Sequence, residues 1–393
     1  MEEPVRKQAR KEKPEAAGSA SVTQSDGNTL DSSSYLTYDI LRIIFQYLSA
    51  KDLANAAIVC RSWLEAANKE KRTRGPCCFM QAYKTEDYLS NINNIRVKPS
   101  LGLFFIPNDL PADIEERIEA LLPDDCKAVM LYGKGIIMDN NEMEYHSLSS
   151  MACAFLPQIP NVQVKLFKLT ECEFCIIRRS IEYEQIISTI DNDEISSNQM
   201  STCCMLFCNN AGHTIATRWS SVIQKSKRNK VTSVWGGVLK DIHVKCPNNL
   251  CKTSKYQVLH RMDAPHCFAV LITGSIQTWS MILDKKCKTK EQAEERLKLF
   301  KNKVKLKKHS IGFMFVCNAR GSNLYDENHI ESTIFKKLFP KVPLAGCFGY
   351  GEFGKNTFDE TNEEKNSEEG QRPKRSKSWY NEFSSVFLIL TYD

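Results

Sequence analysis

No stretch of this chain approaches the roughly 18 consecutive apolar residues of a membrane-spanning helix, so no such span is expected. Residues 1–18, MEEPVRKQARKEKPEAAG, hold no apolar segment and do not read as a secretory signal. Without a signal for an oxidising compartment, the sixteen cysteines are read as free thiols. Aromatic residues are not interleaved with the basic ones in the way that stacks bases, so nucleic acid is not an expected partner. The glycine-rich GYGEFG (349–354) lacks the Gly-Lys-Ser/Thr ending of a phosphate-binding loop.

What is present is an ordinary globular composition, 42% hydrophobic and 25% charged, in a chain of 393 residues with room for two or three domains. The net charge of +6 is unevenly spread. Lys285 to Lys308 holds 11 Lys or Arg against three Glu, whereas Asp359 to Glu369 holds six acids and one Lys. The basic clusters 71–74, 225–230 and 372–377 resemble nuclear-import or polyanion patches and read equally as solvated surface. Together with the missing targeting signals they place the chain in cytoplasm and nucleus.

Residues 1–34 are rich in Lys, Glu, Ser and Ala and are expected to be a disordered tail. A helical unit at 35–75 ends before the Gly75-Pro76 break. Downstream, buried strands are expected at 101–107, 126–133, 203–209, 231–237, 267–274, 311–318 and 384–392, with helices at 114–122, 216–225, 290–300 and 331–338. Near-continuous apolar strands between helices argue for a covered sheet in a mixed α/β body, and its length for two related sheet-containing lobes.

Within the helical unit, Asp39 to Leu48 is apolar at Ile40, Leu41, Ile43, Ile44, Phe45, Tyr47 and Leu48. At 100° per residue these span about 200° of the helix, twice what one core needs, so the helix has a second surface to bury. Ser49 with Asp52 three residues on reads as the N-cap of a second helix, and Val59, Cys60, Trp63 and Leu64 as the apolar face of a third. Leu36, the helix ending in Tyr47-Leu48, Asp52-Leu53 and Val59-Cys60-Arg61-Ser62-Trp63 together resemble the F-box. Thr37 stands where F-boxes usually have proline, which would loosen the start of the first helix. The resemblance implies that Leu36, Ile40, Ile44, Leu48, Leu53, Val59 and Trp63 contact a Skp-family adaptor. The bland reading is a helical cap on the next domain.

Near the C-terminus, His309 to Gly321 is followed by Phe335-Lys-Lys-Leu-Phe-Pro340, Val342-Pro-Leu-Ala-Gly346 and Gly349-Tyr-Gly-Glu-Phe-Gly354. This is similar to the C-terminal part of the FIST domain, with Cys317, Arg320, Gly321, Gly346, Gly349, Gly351 and Glu352 at its motif positions and Gly236-Gly237 in its N-terminal part. The expected division is 76–300 and 301–393, with an acidic loop at 355–372. Cys317, Arg320, Gly321, Gly346, Gly351 and Glu352 could line a ligand or substrate cleft; alternatively, Arg320 and Glu352 pair and lock two loops.

Cys317 beside Arg320 could be a thiolate of lowered pKa, but neither His309 nor His329 is placed as its base by spacing. Cys172-x-x-Cys175, Cys203, Cys204, Cys208, Cys246, Cys251 and His266-Cys267 fit no standard zinc spacing. No catalytic residue, metal or cofactor is therefore assigned. The resemblances imply a non-catalytic receptor that joins protein substrates, through the adaptor, to a cullin-RING ubiquitin ligase, promoting ubiquitination and proteasomal degradation. The alternative is a small-molecule-sensing signalling protein with a vestigial F-box.

Overall fold

The computed structural model describes residues 36–82, 89–107, 113–144, 150–171, 173–191, 201–226, 228, 230–245, 264–358 and 378–393. The expected tail, the acidic stretch from Asp359 and the cluster 372–377 lie outside the described residues.

Three helices come first: α1 (Tyr38–Phe45), α2 (Ala50–Ala56) and α3 (Arg61–Thr73). Thr37 precedes α1 at φ −62°, the value to which proline is locked, so its backbone already has the start geometry that proline would impose. The Ser49 hydroxyl accepts from the Asp52 N–H at 3.1 Å and caps α2 as expected. Leu41, Phe45, Leu53, Ala56, Ala66 and Ala67 form a small core, with Trp63 edge-on to Phe45 at 5.3 Å.

This unit is clamped to the body by arginines. Buried Arg74 pairs with Glu70 at 2.9 Å, donates to the Phe45 carbonyl at 2.7 Å and also to the Arg96 carbonyl, while Arg96 reaches the Gln46 carbonyl. Arg74, at the end of the 71–74 basic cluster, is therefore structural. The Ala50 N–H adds a bond to the Ile95 carbonyl at 2.8 Å.

The body is built from three units of one pattern. The first runs β1 (Cys77–Ala82), α4 (Ser90–Asn93), β2 (Pro99–Pro107), α5 (Ile114–Leu121), β3 (Lys127–Gly133), β4 (Gly135–Met138), β5 (Asn141–Glu144) and β6 (Ser150–Pro157). The second runs β7 (Val162–Lys168), α6 (Phe174–Ile177), α7 (Ile181–Ile190), β8 (Ser201–Asn209), α8 (His213–Gln224), β9 (Ser233–Leu239), β10 (Asp241–Lys245) and β11 (Cys267–Gly274). The third runs β12 (Gln277–Leu283), α9 (Lys290–Lys303), β13 (His309–Cys317), α10 (Ser322–Tyr325), α11 (Ile330–Leu338), β14 (Leu344–Gly349), β15 (Glu352–Gly354), β16 (Tyr380–Asn381) and β17 (Ser385–Tyr392).

Among the described residues these strands make three mixed sheets, ordered β1-β6-β2-β3-β10, β16-β15-β9-β8-β11-β7 and β12-β17-β13-β14-β4-β5. Each unit supplies a parallel pair joined by a crossover helix, flanked by its own lead and return strands. The short strand that follows leaves for another sheet: β10 pairs with β3, β15 with β9 and β4 with β14. The exchange is cyclic, so the three units close into a ring.

Register repeats as well. The last residue of the first parallel strand faces the residue before the unit's turn in every case: Pro107 and Gly133, Asn209 and Leu239, Cys317 and Gly349. Each turn residue then donates its N–H to a carbonyl of the sheet it enters: Lys134 to Phe348 (3.2 Å), Lys240 to Tyr132 (3.0 Å) and Tyr350 to Val238 (2.8 Å). The parallel strands alternate between two buried sides, which explains their unbroken apolar runs. Phe105, Phe207 and Phe315 face the shared core, while Phe104, Leu206 and Met314 pack with the covering helices α5, α8 and α11.

The three inward phenylalanines surround Trp235, at ring-centre distances of 6.3, 5.6 and 6.1 Å. By register, Val129 and Ala345 hold the corresponding places in the other units, so one large and two smaller side chains fill the centre. The Trp235 indole N–H is satisfied by the Val386 carbonyl at 3.2 Å.

The mixed α/β class is as expected, but the body has three related units rather than two lobes. The expected boundary at 300/301 cuts through α9. Expectation missed short or alternating strands at sheet margins, such as β7 and β10, and also the long buried return strand β6 and the helix α7. Removal of the central indole tests this architecture. Trp235→Ala is expected to lower stability by about 3–5 kcal/mol in urea unfolding. A loss under about 1 kcal/mol would mean that the ring does not depend on a filled centre.

Candidate functional site

The helical unit leaves a face of apolar side chains in solvent. Leu36, Ile40, Ile44 and Val59 remain 41–60% exposed, joined by Ile43, Leu64, Tyr47 at 78% and Ile58 at 85%. The packing of α1 explains the division: Leu41 and Phe45 turn inward, and the rest of the wide apolar arc stays outside. Leu53 is 1% exposed and belongs to the unit's own core, so it is not an exposed contact. Leu48 and Trp63 are half-buried against the same core. Ile43, Tyr47, Ile58 and Leu64 were not assigned from sequence; the 200° arc signalled the first two, whereas exposure of Ile58 needed the α2–α3 turn.

The C-terminal constellation does not form an open cleft. Arg320 is 2% exposed and paired with Glu331, not Glu352, through Nε (2.9 Å) and Nη2 (2.6 Å) to one carboxylate oxygen. Its Nη2 also donates to the Tyr325 hydroxyl (2.9 Å), and Nη1 to the carbonyls of Phe383 (3.3 Å) and Asp284 (3.4 Å). Burial opposes its charge, but Glu331 overrides burial and holds the guanidinium protonated. Arg320 thus ties α10, α11 and two strand-end loops together and has no fork to offer a carboxylate ligand.

Glu352 is buried elsewhere. Its Oε2 accepts from the N–H (3.0 Å) and hydroxyl (2.7 Å) of Ser384, and Oε1 has no protein partner. By register it occupies the place of Ile136 and Ile242 in the other units. Burial raises its pKa. Cys317 lies beside it, and burial and then the Glu352 charge push the thiol up, the reverse of the expected activated thiolate.

Gly346 serves strand packing: a Cβ there would stand 1.8 Å from the Met314 carbonyl oxygen. Gly236 is its counterpart, at φ +137°, in the left-handed region that favours glycine. At Gly321 a Cβ would meet the Glu144 carboxylate, which accepts from the Ser322 N–H (2.7 Å) and hydroxyl (2.8 Å), and at Gly351 it would meet the Tyr380 ring. GYGEFG is thus a turn and an exchanged strand at the ring's closure.

A second acidic cluster lies between β5 and α11. Glu142 accepts from the Ser332 N–H at 2.6 Å, its own N–H donates to His329 Nδ1 at 2.8 Å, and its Oε2 is unpartnered. Burial, reinforced by Glu331, raises its carboxyl to about 7.

Among the described cysteines, Cys60 is exposed. It precedes α3, and the Ser62 hydroxyl and then the Trp63 N–H lower its thiol pKa. The sequence pattern puts it on the apolar face of α3, whereas the structure leaves it exposed at the turn before that helix. Cys203, Cys204, Cys208 and Cys267 are buried thiols whose pKa values burial raises. Cys172, Cys246 and Cys251 lie outside the described residues. The basic stretch around α9 is a largely solvated face, with Lys298 and Lys290 paired to Glu294 (2.8 Å) and Glu327 (3.2 Å). Lys230 and Arg228 pair with Asp191 and Glu184, each at 2.9 Å.

A three-helix unit with an exposed apolar face thus stands ahead of a strand-exchanged α/β body, and known families match within both parts. Residues 38–74 match the F-box-like family and residues 279–355 the FIST C domain. Over 80% of its length the chain is 22% identical to human F-box only protein 22, of which it covers 84%, and to the Pongo abelii protein of the same name to the same extent. It is 35% identical over 81 residues to an F-box/LRR-repeat protein of Arabidopsis thaliana, spanning 21% of this chain and 14% of that one. A solved cyanuric acid hydrolase from A. caulinodans aligns with 81% of this chain and 98% of its own at 7% identity, but its TM-score of 0.35 carries no argument.

Two measurements follow from this geometry. An unfolded glutamate releases its proton near the ordinary 4.5, whereas folded Glu142 holds it to about 7. The folded state therefore binds the extra proton in that window, and this contribution to stability is lost as pH rises through it. Glu142→Gln is expected to raise the urea midpoint relative to the parent at about pH 8 and not at about pH 4.5; an equal effect at both would contradict the assignment. In the native protein, iodoacetamide is expected to modify Cys60 well before Cys317, read by peptide mapping, and labelling at equal rates would refute the difference in exposure.

Proposed function

We propose that this protein is the substrate-recognition subunit of an SCF-type ubiquitin ligase. The F-box unit binds a Skp-family adaptor and, through it, a cullin-RING ligase; the FIST body holds target proteins for ubiquitination and proteasomal degradation. The carrying observation is the exposed apolar face of Ile40, Ile43, Ile44, Tyr47 and Val59 on a unit tied to the body through Arg74 and Arg96. Such a face loses water contact only against a partner, and each fully buried side chain contributes about 1.5–3 kcal/mol. The similarity to F-box only protein 22 supports the same reading.

In this role the chain contributes proximity and orientation, and the bond-making chemistry belongs to a recruited conjugating enzyme. The buried, raised thiol of Cys317 and the engaged Arg320 accord with a non-catalytic body. The Arg320–Glu331 lock also gives no support to the alternative of a carboxylate sensor reading its ligand through Arg320. We place the protein in cytoplasm and nucleus.

Co-elution with a Skp-family adaptor on gel filtration tests the proposal. The parent chain is expected to form a stable complex, and Ile44→Asp to lose it with an unchanged circular dichroism spectrum, because the new charge would be desolvated at the interface. Retained binding by the folded variant would remove this face as the docking site.

A further inference from the structure

Between the F-box unit and the body lies a cavity of about 620 Å³. Its walls come from both sides: Leu53 and Ala54 from α2, Ile92 and Val97 around and after α4, Leu121 from α5, and Pro157 from the end of β6. The clamp of Arg74 and the Ala50-to-Ile95 bond hold these walls in place, so the cavity exists before anything enters it.

Its charges all have one sign. Lys51, Lys71, Arg74, Arg96 and Lys98 line it, and no carboxylate does. Arg74 is committed to Glu70, and Lys98 to Asp125 at 2.8 Å. Lys51 and Lys71 are exposed and pair with no acid among the described residues. Asn93 and Gln158 are the neutral polar side chains on the lining, and Gln158 already donates to Asp125.

We propose that this cavity binds an amphipathic monocarboxylate, an acyl chain or apolar ring carrying one anionic head, with its body on the apolar walls and its head at Lys51 and Lys71. The volume falls in the roughly 300–1,000 Å³ range of small-molecule sites, which are mostly apolar with a few placed polar groups. A peptide would bring backbone amides against walls with few side-chain partners, at a desolvation cost that an acyl chain does not incur. Because both the F-box unit and the body line the site, the ligand would brace the joint between them. This inference does not rest on the ubiquitin-ligase reading.

Isothermal titration of the full chain with sodium dodecanoate below its micelle concentration tests it. The expected result is one-site binding, weakened at least tenfold by Ala54→Trp, which fills the cavity from an exposed position, and by the Lys51→Glu, Lys71→Glu double variant. Dodecylammonium should bind at least tenfold more weakly than dodecanoate, and Ile44→Asp on the adaptor face should bind dodecanoate like the parent. Absence of one-site binding, equal binding of the two amphiphiles, indifference to Ala54→Trp or loss in Ile44→Asp would each overturn the proposal. Adaptor co-elution is a separate readout, so failure of one reading is distinguishable from failure of the other.

Discussion

The body depends on the exchange of short strands between its three units. A parallel strand pair with its crossover helix leaves an unpaired sheet edge, and an unpaired edge exposes backbone donors and acceptors. Here β4, β10 and β15 each cover an edge belonging to a neighbouring unit, and the turn bonds of Lys134, Lys240 and Tyr350 repeat the solution around the ring. The inward faces of the sheets then bury one common core, in which Trp235 fills space left by the smaller Val129 and Ala345. Glycine recurs where the parallel strands within a unit bring backbone against backbone, as at Gly236 beside Leu206 and Gly346 beside Met314.

Given that ring, the polar motif near the C-terminus takes on a structural meaning. Arg320 is a buried cation whose desolvation is offset by Glu331, Tyr325 and two carbonyls, so it fastens loops from several elements at once. Glu352, standing where the other units have isoleucine, is a buried carboxyl kept tolerable by Ser384 and by its raised pKa. Groups next to one another in the motif are thus separated into two networks.

The F-box unit follows the opposite logic. Its own core is small, and much of the apolar surface of α1 and of the α2–α3 turn is left in water. Arg74 and Arg96 hold it against the body through backbone carbonyls, which fixes its orientation without consuming the exposed face. That arrangement suits a unit that presents one partner to another, and it creates the cation-rimmed cavity at the joint.

Sequence by itself determined local elements: the Ser49-capped second helix, the wide apolar arc of α1, most of the long buried strands and several of the helices between them. These follow from periodicity and capping within a few residues of chain. Only tertiary structure decided that Leu53 is core while Ile58 is surface, that Arg320 meets Glu331 instead of Glu352, and that the units number three. Short exchanged strands such as β4 and β15 carry too few residues for a period to show, and their partners lie 100 or more positions away. Burial and charge pairing are properties of that long-range assembly, so no local pattern records them.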